Sequence, residues 1–162
     1  MKTENLRPEL RCAIEAAHNK KAGSVTLLDL DGLGAFTGYF LICTGFSERQ
    51  VSAIANEMED QLHRLGVRIR HREGGSESEW VLLDYGNFLV HVFTERARTF
   101  YDLERLWRSA KRTEFVDPAI DANAAMNSTA SGSQAAGRKR SSEGSSERNS
   151  ERSSEQRSEE SA

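Results

Sequence analysis

The stretch that decides the fold is Trp80-Val-Leu-Leu-Asp-Tyr-Gly-Asn-Phe-Leu-Val-His-Val-Phe93. It contains Gly86-Asn87, a dipeptide typical of a two-residue turn, and therefore predicts a β-hairpin. The predicted register points one wholly apolar face toward the core: Val81, Leu83, Tyr85, Phe88, Val90 and Val92. The opposite face consists of three cross-strand pairs: Trp80 with Phe93, Leu82 with His91, and Asp84 with Leu89. This second face is too apolar for a free surface, so either a helix or a partner covers it.

The segments around the hairpin alternate between helical and strand patterns. Ser47 and Gln50 form a capping box at the start of one helix, and Tyr39–Thr44 is apolar enough for a strand covered on both faces. The expected elements are a helix over Arg7–Lys21, strands over Val25–Leu30 and Tyr39–Thr44, a helix from Ser47 to Leu65, a half-exposed strand over Val67–His71, a polar loop over Arg72–Glu79 and a last helix over Thr99–Lys111. That last helix would place Phe100, Leu103, Leu106, Trp107 and Ala110 on one side. The pattern predicts an α/β fold with a mixed sheet and flanking helices.

Composition divides the 162 residues unevenly. From Ala119 to Ala162 the only large apolar residues are Ile120 and Met126, and twelve residues are serine. Such a segment cannot bury enough surface to offset its ordering entropy. We therefore expect a folded domain over residues 1–118 and a disordered tail rich in Ser, Glu and Arg over residues 119–162.

Charge and hydropathy exclude several classes of protein. The sequence has no apolar run long enough for a membrane helix, and its first ten residues lack the apolar stretch of a secretory signal. Cys12 and Cys43 are far apart and fit reduced thiols in a cytosolic protein. The net charge of −3 lacks the strong positive balance of a protein that binds nucleic acid by itself.

Candidate chemistry is sparse. Asp29 and Asp31 follow a Gly23-Ser24 pair. Nucleotidyltransferases use a Gly-Ser pair and two carboxylates to hold a metal ion and a triphosphate. The spacing between Ser24 and Asp29 is much tighter than in that motif. Gly32 and Gly34 begin a dinucleotide loop that Thr37 breaks. The four histidines have no metal-ligand spacing. We expect no catalytic residue, no metal and no cofactor. A metal-dependent nucleotidyltransferase-like enzyme using Asp29 and Asp31 is the alternative. A third hypothesis, an RNA-binding module, would use the tail together with Arg64, Arg68, Arg70 and Arg72.

Five ordered blocks carry a family resemblance over Leu6–Val116. They are Phe36-Thr-Gly-Tyr-Phe-Leu-Ile-Cys-Thr-Gly45, Ser47-Glu-Arg-Gln-Val51 with Ala53-Ile-Ala55, Trp80-Val-Leu-Leu-Asp-Tyr-Gly86, Val90-His-Val-Phe93 and Phe100-Tyr-Asp-Leu-Glu-Arg-Leu-Trp107. The sequence resembles the ribosomal silencing factor family, also called Iojap/RsfS. The family commonly has an acidic residue where Gly38 stands and Asp where Asn87 stands, and the tail is not a family feature.

The resemblance implies a non-catalytic cytoplasmic factor with a minimal nucleotidyltransferase-like fold. Family members bind the large ribosomal subunit through its ribosomal protein number fourteen. They thereby block subunit joining and repress translation, and some act in ribosome biogenesis. No membrane and no sequence-specific nucleic acid is implied as a partner, and the sequence leaves a monomer and a homodimer equally open.

Face and chemistry within the family motifs indicate the partner-binding residues. We expect the second hairpin face and the last helix to form this site. The candidates are Trp80, Leu82, Asp84, His91, Tyr101, Glu104 and Trp107. Trp80 would supply a large apolar anchor, and Asp84 and Glu104 would meet basic groups of a cationic ribosomal protein.

Overall fold

The computed structural model describes residues 5–119, which form one six-stranded sheet with helices on both faces. The helices are α1 (Pro8–Asn19), α2 (Glu48–Arg64), α3 (Glu95–Tyr101) and α4 (Leu103–Leu106), and the strands are β1 (Val25–Asp29), β2 (Tyr39–Gly45), β3 (His71–Glu73), β4 (Trp80–Asp84), β5 (Phe88–Thr94) and β6 (Lys111–Phe115). The strand order is β3-β4-β5-β2-β1-β6. β2 and β5 run parallel, and the other described neighbours run antiparallel. The mixed α/β fold predicted from the sequence is confirmed.

Each face of the sheet has its own apolar layer. The amphipathic helices α1 and α2 pack on one face, where their buried side chains meet Leu41, Leu83 and Val90. The segment that contains α3 and α4 covers the other face, where Leu103 and Trp107 pack against the sheet. β2 is covered on both faces, as its apolar sequence predicts.

The start of α2 is capped as predicted and also anchors α1. The Ser47 hydroxyl accepts a hydrogen bond from the Gln50 amide at 3.1 Å. The Gln50 side chain reaches back one residue further than the capping box requires, to the Phe46 amide at 2.7 Å. Its amide nitrogen donates to the carbonyls of Lys20 and Lys21, which satisfies carbonyl groups at the end of α1.

The hairpin has the predicted register. Val81 lies opposite Val92 and Leu83 opposite Val90, and all four side chains are buried in the layer beneath α1 and α2. Gly86 has φ of 86°, a backbone conformation that suits glycine. The turn between β4 and β5 therefore fixes which residues face the core.

The strand expected over Val67–His71 was placed too early. The ladder with β4 begins only at His71, which pairs with Asp84, and extends to Glu73. Before it, the Val67 amide still bonds to the Leu62 carbonyl of α2, and Val67 and Ile69 pack at the margin of the core. The apolar alternation of this segment thus reflects partial burial beside α2 and not strand pairing.

The last helix expected over Thr99–Lys111 is wrong as a single element. Asp102 has φ of 44°, and this left-handed residue ends α3 and separates it from α4. The five residues expected on one side of that helix also separate into two groups. Leu103, Trp107 and Ala110 pack on the sheet, whereas Phe100 and Leu106 are 77% and 73% exposed. The chain then forms β6, an edge strand that the sequence analysis missed.

The tail predicted to be disordered, residues 119–162, lies outside the described residues apart from Ala119. No helix among residues 5–119 is long and apolar enough to cross a membrane.

Candidate partner-binding surface

A helical segment covers half of the second hairpin face. On β5, Leu89, His91 and Phe93 are buried beneath the segment that contains α3 and α4. On β4, their cross-strand partners Trp80, Leu82 and Asp84 remain partly exposed. Of the two covers that the sequence left open, a helix therefore covers the β5 half, while the β4 half stays accessible to a partner.

Trp80 is the centre of an aromatic cluster on this face. Its ring stacks on Phe93 with centroids 5.0 Å apart, and Tyr101 of α3 lies 4.6 Å away. The indole Nε1 donates a hydrogen bond to His91 Nδ1 at 3.2 Å. Phe40 continues the cluster from His91 to Trp107, with centroid distances of 4.7 and 5.8 Å. These contacts hold Trp80 in one orientation although part of its ring faces solvent.

His91 is a structural histidine in this arrangement. The side chain is 5% exposed, and burial lowers its pKa to about 4. The ring is therefore neutral at neutral pH. Because Nδ1 accepts the bond from Trp80, the ring proton belongs on Nε2, for which the described residues offer no partner. His91 supports Trp80 from beneath and is too deeply buried to meet a large partner directly.

Glu104 and Arg98 form a nearly buried ion pair that fixes the α3–α4 segment to the sheet. Each side chain is 13% exposed, and Arg98 Nη2 lies 2.5 Å from Glu104 Oε1. Arg98 also donates to the hydroxyls of Thr44 at 2.7 Å and Thr26 at 2.9 Å, and to the Ser24 carbonyl at 3.2 Å. The Glu104 carboxylate thus binds Arg98 and helps to position Tyr101, which lies between them in sequence.

The structure brings most of the predicted site residues together. Leu82 packs into the same layer as Trp80 and Trp107. Asp84 lies at the far end of β4, where its carboxylate accepts a hydrogen bond from the Gly86 amide at 2.7 Å and supports the hairpin turn. Sequence reasoning did not single out Arg98, whose ion pair joins α3 to α4 and whose hydrogen bonds reach β1 and β2. It also placed Phe100 on one side of the last helix with Leu103 and Trp107, whereas the Phe100 side chain is exposed beside Tyr101.

The residues considered for metal chemistry do not form one site. Asp29 and Ser24 lie at opposite ends of β1, about 17 Å apart at the usual rise of an extended chain. The Asp29 carboxylate accepts from the Asp31 amide at 3.1 Å, the geometry of a local turn. Within residues 5–119 no three His, Cys, Asp or Glu side chains lie close enough to hold a metal ion. Burial raises the pKa of the Cys43 thiol to about 12, which keeps it protonated.

Residues 3–158 match the protein family described as "Ribosomal silencing factor during starvation". The chain belongs to the ribosomal silencing factor family. The ribosomal silencing factor RsfS of Bacillus subtilis is 42% identical over 106 residues, which cover 65% of this chain and 90% of the relative. The family resemblance seen in the sequence is thereby confirmed.

Two crystal structures support the same assignment. A Chromobacterium violaceum protein is 40% identical with a TM-score of 0.58 and matches 61% of this chain and 82% of its own. A Bacillus halodurans protein is also 40% identical, with a TM-score of 0.57 over 65% of this chain and 96% of its own. Ribosomal silencing factors are ribosome-associated regulators of translation.

Proposed function

We propose that this protein represses translation in the cytoplasm by binding the large ribosomal subunit through its ribosomal protein number fourteen. The bound factor would occupy part of the face that meets the small subunit and block subunit joining sterically. The observation that carries the proposal is the partly exposed Trp80–Tyr101 pair on the second hairpin face. Large aromatic side chains held in one orientation are typical anchors of protein interfaces.

The surroundings of this pair suit a cationic partner. Glu48 and Glu77 line the groove beside Trp80 and Tyr101, and neither is in an ion pair within the described part of the chain. Ribosomal proteins are usually basic, and complementary charge increases the rate of encounter and sets the register of docking. Aromatic anchors would then supply most of the binding free energy.

Steric repression requires no reaction at the site. The buried, neutral His91 and the paired Glu104 leave the surface with aromatic rings and rim carboxylates, which can bind but have no arrangement for proton transfer to a substrate. The separation of Asp29 from Ser24 gives no support to the nucleotidyltransferase alternative. The proposed role is therefore that of a binding module.

Co-sedimentation with purified large subunits tests the proposal. Tyr101→Ala is expected to reduce co-sedimentation and to restore subunit joining in light scattering, because it removes one side of the aromatic pair. Phe36→Ala is a matched control, since Phe36 is a 78% exposed aromatic residue in the loop before β2. It lies beside the hairpin turn, at the opposite end of β5 from Trp80 and Tyr101. Equal losses for both variants, or none for either, would contradict the proposed site.

A further inference from the structure

A groove along α3 extends the aromatic surface into an uncovered apolar patch. Its apolar lining comes from Trp80, Ala97, Phe100 and Tyr101, and its volume is about 710 Å³. Phe100 is 77% exposed and lies edge-on to Tyr101, with ring centroids 5.1 Å apart. Large aromatic side chains exposed together in this way usually mark a binding surface. We call the space between these four residues the α3 groove.

Acidic groups surround the α3 groove. Glu79 is paired with Arg96 at 2.6 Å, so these two charges compensate each other. Glu48 and Glu77 also line the groove, and no cation of the described chain pairs with either. Arg96 also interacts electrostatically with Glu48, but among the described residues it is the only cation lining the groove beside the carboxylates of Glu48, Glu77 and Glu79, so the groove keeps a net negative charge next to aromatic faces. That combination favours guanidinium and ammonium groups, which pair with carboxylates and stack on aromatic rings.

The chain itself contains a segment of this chemistry. Between Asp121 and Glu143 the only charged residues are Arg138, Lys139 and Arg140. Beyond Glu143 the charge reverses, because acidic residues outnumber the three remaining arginines. The tail is nearly neutral in total, but its positive charge is concentrated in a short basic cluster that complements the groove.

The end of the described chain lies at the same end of the strands as the start of α3. Phe115 at the end of β6 pairs with Val25, and Asp117 lies 3.9 Å from the Lys21 ammonium group. Val25 also pairs with Cys43, near the end of β2, and the parallel strand β5 ends beside β2 where α3 begins. Arg138 follows Ala119 by nineteen positions. A random coil of that length has a typical end-to-end distance of about 24 Å, which approaches the diameter of about 30 Å of a small domain.

We propose that Arg138-Lys139-Arg140 binds in the α3 groove and competes there with the basic ribosomal protein. The tail is tethered, so its local concentration at the groove is in the millimolar range, and weak contacts suffice for partial occupancy. The competition rests on the proposed function, because Trp80 and Tyr101 serve both ligands. The docking of the tail in the groove does not depend on the proposed function. The tail would act as a built-in competitor that lowers the affinity of the factor for the ribosome.

Amide NMR spectra of the full chain test the docking without any ribosomal component. The variant R138S/K139S/R140S is expected to shift the resonances of Phe100, Tyr101 and the Trp80 indole. The variant R148S/R152S/R157S is the matched control, since it removes three arginines from the acidic end, and it should leave those resonances in place. Adding 0.5 M NaCl to the parent protein should reproduce the shifts of the first variant.

Binding to the isolated ribosomal protein then tests the competition. R138S/K139S/R140S should bind about two- to five-fold more tightly than the parent, as expected for removal of a partially occupied tethered competitor. Groove resonances that do not change would overturn the docking. If they change while affinity does not, the tail docks but the ribosomal protein binds elsewhere, which contradicts the competition and the proposed site. Weaker binding to whole subunits, with unchanged groove resonances, would place the basic cluster on the ribosome and overturn the proposal.

Discussion

Replacing His91 with asparagine is expected to flatten the dependence of stability on pH between about pH 4 and 6.5. Burial lowers the pKa of His91 from 6.5 to about 4 in the folded protein. Between these values the unfolded chain binds a proton that the folded chain does not. The contribution of neutral, buried His91 to the free energy of unfolding is therefore fully present above pH 6.5 and is lost progressively as the pH falls toward 4.

The size of the effect follows from that difference in pKa. One pKa unit corresponds to about 1.4 kcal/mol. The titration of His91 should therefore lower the free energy of unfolding of the parent protein by roughly 3 kcal/mol when the pH falls from 7 to 4. An asparagine at this position would not titrate in this range, and its side-chain oxygen can still accept a hydrogen bond from the Trp80 indole. The variant should be less stable at pH 7 and should lose less stability on acidification.

Urea unfolding at a series of pH values measures this difference. Subtracting the variant from the parent removes the contributions of groups that both share. His71→Asn is the control, because it replaces an exposed histidine with the same side chain, and it should not reproduce the change expected for His91→Asn. Parallel pH profiles for the parent protein and the His91→Asn variant would refute the reasoning, as would an NMR titration that gives His91 an ordinary pKa.

Three further predictions concern the packing of the core, the anchor of α3 and the role of the carboxylates. Leu83→Ala should destabilise the fold by about 2–5 kcal/mol, measured by urea unfolding, because Leu83 is completely buried. Arg98→Met should cost about 3–5 kcal/mol in the same assay, since it leaves a nearly buried carboxylate unpaired. Arg96→Met, at an exposed pair, should leave the free energy of unfolding nearly unchanged. Asp29→Asn combined with Asp31→Asn should leave co-sedimentation with large subunits within a few-fold of the parent, and complete loss in a folded variant would revive metal chemistry.

The hairpin was predictable because two independent signals agree. Alternating apolar residues define the core face, and Gly86-Asn87 fixes the register, so the cross-strand neighbours of Trp80 and Leu83 followed from the sequence. The two-sided burial of β2 was equally readable from its continuous apolar run.

The segment after the hairpin was not predictable in the same way. Its apolar residues fit a helical period, and nothing in the local sequence required Asp102 to adopt a left-handed conformation. β6 has the composition Lys-Arg-Thr-Glu-Phe, which suits an exposed edge strand but lacks an apolar alternation. Both features depend on packing against a sheet that the local sequence does not reveal.

The candidate site shows the same division. The pairing of His91 with Leu82, and hence its position beside Trp80, follows from the hairpin register. The role of Glu104 does not, because its partner Arg98 also reaches hydroxyl groups on β1 and β2. Ion pairs of this kind depend on tertiary contacts and have no signature in sequence spacing.

The affinity of the Trp80→Ala variant for the isolated large-subunit ribosomal protein number fourteen, measured by calorimetry, tests the central claim most directly. The variant should remain folded, since part of the Trp80 ring faces solvent, and circular dichroism checks this. Loss of the aromatic anchor should weaken binding by about 2 kcal/mol or more, a roughly 30-fold rise in Kd, while the Phe36→Ala control should bind like the parent. A folded Trp80→Ala variant that binds as tightly as the parent would contradict the account.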